Sequence, residues 1–175
     1  MKKPVQQYNK LAKLLHWFSA VVVIGLFALG LWMVDLNYYH DWYNSAPHIH
    51  KSLGLCLFAV TLLRIIWKKY TAAPALEGKK WEVQAAKLAH AMLYILLISI
   101  PIFGYMITTA DGSSIDVFNW FSVPGFGSIV ENQEDKAGAV HYYLALIVIG
   151  LASVHTLAAL KHHFINKDNT LKKII

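Results

Sequence analysis

Four runs of about twenty apolar residues, at roughly 12–34, 48–67, 88–109 and 139–161, constrain this 175-residue chain more than any other feature. Each is long enough to cross a bilayer as a helix, and together they leave no room for a separate soluble domain. Inside a bilayer a backbone must satisfy its own polar groups, so the expected fold is all-α: one integral membrane four-helix bundle spanning residues 1–175. Charged residues make up only 15% of the chain, against about 25% in a soluble domain. The first run is longer than a signal-peptide core and no small-residue cleavage pattern follows it, so it is expected to remain as a helix.

The basic residues set the expected orientation. Lys2, Lys3, Lys10 and Lys13 precede the first run, and Arg64, Lys68, Lys69, Lys79, Lys80 and Lys87 surround the second connection. Lys161, Lys167, Lys172 and Lys173 follow the last run, which leaves only Lys51 and Lys136 for the other side. By the positive-inside rule both termini are expected to be cytoplasmic, in a bacterial inner membrane. Seven acids (Asp35, Asp41, Asp111, Asp116, Glu131, Glu134 and Asp135) fall on the outer side. The net charge of +6 thus reports orientation and gives little support to a nucleic-acid partner. The single cysteine, Cys56, lies inside the second run and excludes an iron–sulfur cluster or covalent haem attachment. It is read as a small packing residue.

Histidines carry the chemistry. His141 and His155 stand fourteen residues apart on the last run. At about 100° per residue they share a face, offset by about 40°, and lie roughly 21 Å apart along the axis. Small residues, Ala145 and Ala152, share that stripe with Val148 and leave room for something flat and wide. The same spacing recurs on the other runs: His16 pairs with Gly30, His50 with Arg64, and His90 with Gly104. With the helices alternating in direction, His50 and His141 fall at an outer level, and His16, His90 and His155 at an inner one. A glycine at such a position lets a ring approach the backbone.

Haem held by two axial histidines from facing helices accounts for this layout, once at each level. The outer pair is then His50 with His141, while the inner level leaves three candidates. An intramembrane arginine wants an anionic partner, and Arg64 suits a haem propionate. A lone histidine in an apolar helix is more often an interhelical hydrogen-bonding residue, but four at two matched depths fit that reading poorly. A zinc or similar site needs three or four converging ligands; the outer level offers two, which His40 and His48 would have to join. Those two are otherwise solvent-facing loop or helix-end residues. Pro101 reads as a kink, and Gly30 and Gly104 alone would read as helix-packing residues.

The His16–Trp17 pair, IHKSLG around His50, LAHAMLYILL around His90 and the closing KHHFINKDNTL resemble the bacterial cytochrome b561 family over essentially the whole chain. They are most similar to its small members that pass electrons from superoxide to ubiquinone. The resemblance implies two haem b groups, the outer held by His50 and His141 and the inner by His16 and His155. It makes His90 and His162 the residues of a quinone site and its proton relay near the cytoplasmic face. His162 and His163 read equally as an interfacial pair beside lipid phosphates. The expected function is transmembrane electron transfer between a periplasmic donor and the quinone pool, in the manner of a superoxide:ubiquinone oxidoreductase. One feature departs from that: superoxide is an anion, and the outer loops are acidic. An electron-carrier partner of a periplasmic redox protein or dehydrogenase, without superoxide activity, is the alternative.

Overall fold

A computed structural model describes residues 5–175; Lys2 and Lys3, counted above for orientation, lie outside the described residues. The chain forms α1 (Lys10–Met33), α2 (Ser45–Tyr70), α3 (Lys80–Thr108), a hairpin of β1 (Ile115–Val117) and β2 (Phe121–Val123), and α4 (Gln133–Phe164). A short 3-10 turn, Leu171–Lys173, follows. All four α-helices are long and apolar enough to cross a membrane. Only 6–17% of the residues in their apolar windows are buried, so most of the greasy surface faces outward. Leu14, Val21, Ile24, Ile95, Val154 and Leu157 are exposed in this way. The all-α membrane bundle is thus the observed architecture, with the small hairpin as an unforeseen addition.

The helices outrun the apolar segments that announce them. They contain 24, 26, 29 and 32 residues. At 1.5 Å per residue that is about 36 to 48 Å, against a hydrocarbon core of about 30 Å. The extra turns are polar and stand on local chemistry. Asn9 caps α1, its Oδ1 accepting from Ala12 N at 2.8 Å and from Trp67 Nε1 at 3.3 Å. Glu82 caps α3 by accepting from the Lys79 backbone N–H at 2.7 Å. At the start of α4 the buried Gln133 side chain accepts from Ile129 N and donates to Met106 O, both at 2.9 Å.

The bundle is built from two antiparallel helical hairpins, α1/α2 and α3/α4. Contacts within each are extensive, α2 also packs on α3, and α1 meets α4 at few points. Leu26, Leu57 and Leu97, with Val22, Val23 and Leu53, fill the middle. One end carries the α1–α2 and α3–α4 connections (the loop end). There the strands pair antiparallel, Ile115 with Val123 and Val117 with Phe121. Val117 and Ile115 are buried against α2, where the Ser52 hydroxyl accepts from Phe118 N at 3.0 Å and donates to Asp116 O at 3.3 Å. This clamps the hairpin two residues from His50.

The other end (the termini end) is closed by residues 165–175, which fold back as a strap. Lys173 O accepts from Tyr8 N at 3.0 Å and Ile174 O from Trp17 Nε1 at 3.0 Å, while Lys13 Nζ donates to Ile175 O. Lys173 Nζ pairs with Glu77 at 2.5 Å and donates to Ala75 O at 2.8 Å. Asn169 N donates to the same carboxylate at 3.1 Å. Hydrogen bonds from Lys173 and Asn169 hold the Glu77 carboxyl below its ordinary range. Asp168 is lowered too, although burial pulls the other way, by hydrogen bonds from His162 and Thr170.

Carboxyls lowered in the folded state stabilise it above the ordinary carboxylate range and lose that effect as pH falls through their folded values. Backbone amides of residues 165–175 should therefore be protected from hydrogen exchange at neutral pH. Relative to their intrinsic rates, they should lose that protection below about pH 4.

Candidate functional site

The fourteen-residue spacing becomes two rungs in each helical hairpin. In α1/α2, a Cβ built on Gly30 would lie 3.1 Å from His50 Cε1, and at the other rung Arg64 Nη2 donates to His16 Nδ1 at 3.3 Å. In α3/α4, a Cβ on Gly104 would lie 3.2 Å from His141 Cε1, and the His90 and His155 rings stand 5.2 Å apart at the other rung. The helices of each hairpin run antiparallel, so equal spacings meet at both rungs. What faces the glycines directly is an imidazole, and each glycine is the seat of a histidine on the neighbouring helix.

Histidines also join one hairpin to the other. At the loop end the His50 and His141 rings face each other with centroids 6.1 Å apart and planes at 64°. At the termini end His16 and His155 stand at 6.5 Å, also at 64°. A metal–imidazole nitrogen bond is about 2 Å. Two imidazoles in line across one metal ion would thus place their centroids roughly 6.3 Å apart. Both cross-hairpin pairs match that separation, whereas His90 and His155 at 5.2 Å are too close for it. The two pairs are therefore spaced to hold the metal of a flat cofactor between them, were one bound.

Hydrogen bonding sharpens the fit at the loop end. His141 Nδ1 donates to the carbonyl of Ile100 at 2.9 Å, which fixes the tautomer and leaves Nε2 with its lone pair. That carbonyl adjoins Pro101, so the segment read as a plain kink also orients a histidine. His50 Nδ1 is buried without a partner among the described residues. At the termini end Arg64 also lies over the Tyr94 ring, 5.5 Å from its centroid. Sequence reasoning passed over Tyr94, although it stands one turn from His90 on the same face of α3.

His90 and His162 do not share a cluster. His90 sits against His155, while His162, only 9% exposed, has Nδ1 2.5 Å from Asp168 Oδ2 and 3.3 Å from Asn166 Nδ2. Its ring packs behind Gly78 (φ +113°), where a Cβ would lie only 2.9 Å from His162 Cε1. Asp168 had no signal beyond lying in the KDNTL stretch; only the fold-back of the strap brings it to His162. His40 belongs to the loop end, its Nδ1 accepting from Trp42 N at 3.1 Å. His48 lies in the first turn of α2, and His163 stacks edge-on against Phe164. Among the described residues no group of three or more His, Cys, Asp or Glu is placed to hold a metal ion by side chains alone.

Comparison with known proteins shows the family. A family model described as prokaryotic cytochrome b561 matches residues 7–175. Cytochrome b561 homolog 2 of Escherichia coli (strain K12) is 44% identical over 172 residues, covering 97% of this chain and 92% of that protein. Cytochrome b561 homolog 1 of the same organism is 29% identical over 178 residues, 98% of each chain. A probable superoxide oxidase CybB of Yersinia pestis is 29% identical over 180 residues, 97% of this chain and 96% of that one.

Proposed function

The chain belongs to the prokaryotic cytochrome b561 family of b-type haem, multi-pass membrane electron-transfer proteins, and from that premise we propose that it links a periplasmic electron donor to the quinone pool through two haem sites. The observation that carries this reading is the pair of cross-hairpin histidine couples at 6.1 and 6.5 Å. When bound, haem b supplies a one-electron centre, and ligation by two histidines leaves no open iron position, which favours electron transfer over oxygen binding.

His50 and His141 hold the outer group and His16 and His155 the inner one, with Gly30 and Gly104 seating the outer imidazoles. Were His16 to hold the inner group through Nε2, its proton would stay on Nδ1, and Arg64, which has only donors, would turn to an acceptor such as a propionate. His90 flanks His155, with ring centroids 5.2 Å apart. With the lysine-rich termini end in the cytoplasm of a bacterial inner membrane, His162 lies where the head group of ubiquinone would reach the bundle.

Superoxide is the most specific donor this reading supports, and the relative named as a probable superoxide oxidase supports it. The acids on the loop side (Asp35, Asp41, Asp111, Asp116, Glu131, Glu134, Asp135) favour a second reading, a basic periplasmic redox protein as donor. Salt separates the two. An anionic donor approaching an acidic face is repelled, so superoxide-driven ubiquinone reduction in reconstituted membranes should speed up as ionic strength rises. Delivery by a basic protein should slow down instead. Failure of superoxide to drive any ubiquinone reduction would exclude the first reading.

A further inference from the structure

We infer that Asp168 is a positioning residue that holds His162 as the proton donor to reduced quinone, and that the surface hollow beside Asp168 is where that proton is replenished. The inference rests on the quinone reading above and adds the proton side of the reaction to it.

The geometry is that of a prepared dyad. His162 Nδ1 donates to Asp168 Oδ2 at 2.5 Å. Asp168 is itself fixed, its Oδ1 accepting from Thr170 N at 2.9 Å and its backbone N–H donating to the His162 carbonyl at 3.1 Å. His162 is buried within the bundle end, whereas Asp168 lines a hollow shared with Gly78, Lys79, Trp81, Glu82 and Lys161. One member of the couple thus faces the interior and the other the aqueous surface.

The neighbouring charges leave this couple as the acid–base unit. Lys161 is paired with Glu82 at 2.6 Å, and Lys173 with Glu77 at 2.5 Å. The hydrogen bonds that keep the Asp168 carboxyl ionised oppose its burial, so at neutral pH an anion stands against the His162 ring. An adjacent anion favours the imidazolium.

The step balances simply. Ubiquinone takes two electrons, delivered singly from the donor at the opposite face, and two protons. For each proton, an N–H bond on His162 breaks as an O–H bond forms on the reduced quinone. The imidazole left behind regains a proton from water in the hollow while Asp168 keeps the ring in place.

The test is the pH profile of ubiquinone reduction by reconstituted, haem-loaded protein, with haem content and haem reduction by the donor recorded in parallel. Asp168→Asn removes the anion but keeps a hydrogen-bonding side chain. It should lower the rate about tenfold at pH 8 and less than about threefold at pH 6, because the ring then lacks the anion that supports a proton on it and added acid makes good part of that loss. Asp168→Glu should restore most of the loss. His162→Gln, which can still donate to Asp168 and so keeps the strap attached, should be slow at every pH. Haem content and haem reduction should match the native chain in all three. An Asp168→Asn profile that tracks the native one, or a fast His162→Gln variant, overturns the inference. A native chain whose haems are reduced but never reoxidised by ubiquinone instead overturns the quinone reading on which it stands.

Discussion

Replacing His50 with alanine should halve the haem content, from two groups per chain to one, while replacing His90 with alanine should leave both in place. The reason is geometric. His50 faces His141 across 6.1 Å, a separation that one metal ion could bridge, and among the described residues no other histidine makes a ring contact with His141. His90 approaches His155 to 5.2 Å, too close for an ion between them, while His16 stands opposite His155 at 6.5 Å. Haem quantitation per chain, with a reduced-minus-oxidised spectrum, reads the result directly. A His90 variant that loses a haem while a His16 variant keeps both would reassign the inner pair to His90 and His155. A native chain carrying a single haem would mean that one of the two levels is not a site.

The second large effect needs no change to any histidine. Gly30→Leu should delete the outer haem as completely as His50→Ala does, and leave the inner one. Even a single added carbon at Gly30 would meet His50 Cε1 at 3.1 Å, closer than ordinary van der Waals contact. The full leucine side chain needs the volume the imidazole occupies, and the ring must leave its place opposite His141. Gly30→Ala is the graded companion: the ring has to yield by a few tenths of an ångström, so the haem should be retained with altered binding. An outer haem that survives Gly30→Leu unchanged would mean that His50 reaches its partner by another route. Gly104→Leu tests His141 in the same way, with the added loss of its alignment to the Ile100 carbonyl.

Much of this was legible in the chain itself, and the boundary is physical. Apolar runs report the bilayer, so the four spans and the two histidine depths can be read from hydropathy and from the pitch of a helix. The fourteen-residue spacing that relates His16 to Gly30 and His90 to Gly104 does carry tertiary information, because antiparallel helices with equal spacings meet at two rungs. What the spacing cannot say is which atom fills a glycine's notch; an imidazole and a macrocycle make the same demand for space. Helix ends were misjudged by up to eight residues at α3 because its first turns are polar and stand outside the hydrocarbon, held by the Glu82 cap. The β1–β2 hairpin rests on Ser52, a residue with no chemical signature in an apolar run. Asp168 and Glu77 meet their partners only because the strap folds back across the bundle end, a contact between distant parts of the chain that no local pattern announces.

One consequence follows from the depth of the two histidine levels on the single continuous helix α4. His141 and His155 are fourteen residues apart, roughly 21 Å of a hydrocarbon core of about 30 Å. An electron passing between those levels therefore crosses about two-thirds of the membrane's electric field. A full crossing involves about 2.3 kcal/mol per charge for each 100 mV, so this one involves about 1.6 kcal/mol. With the termini in the cytoplasm, as proposed above, inward transfer would run against an interior-negative potential. Each 100 mV then shifts the balance between the two levels more than about tenfold toward the outer one. On that proposal the chain would act as a voltage-sensitive wire, one that conducts inward most freely when the membrane is least energised.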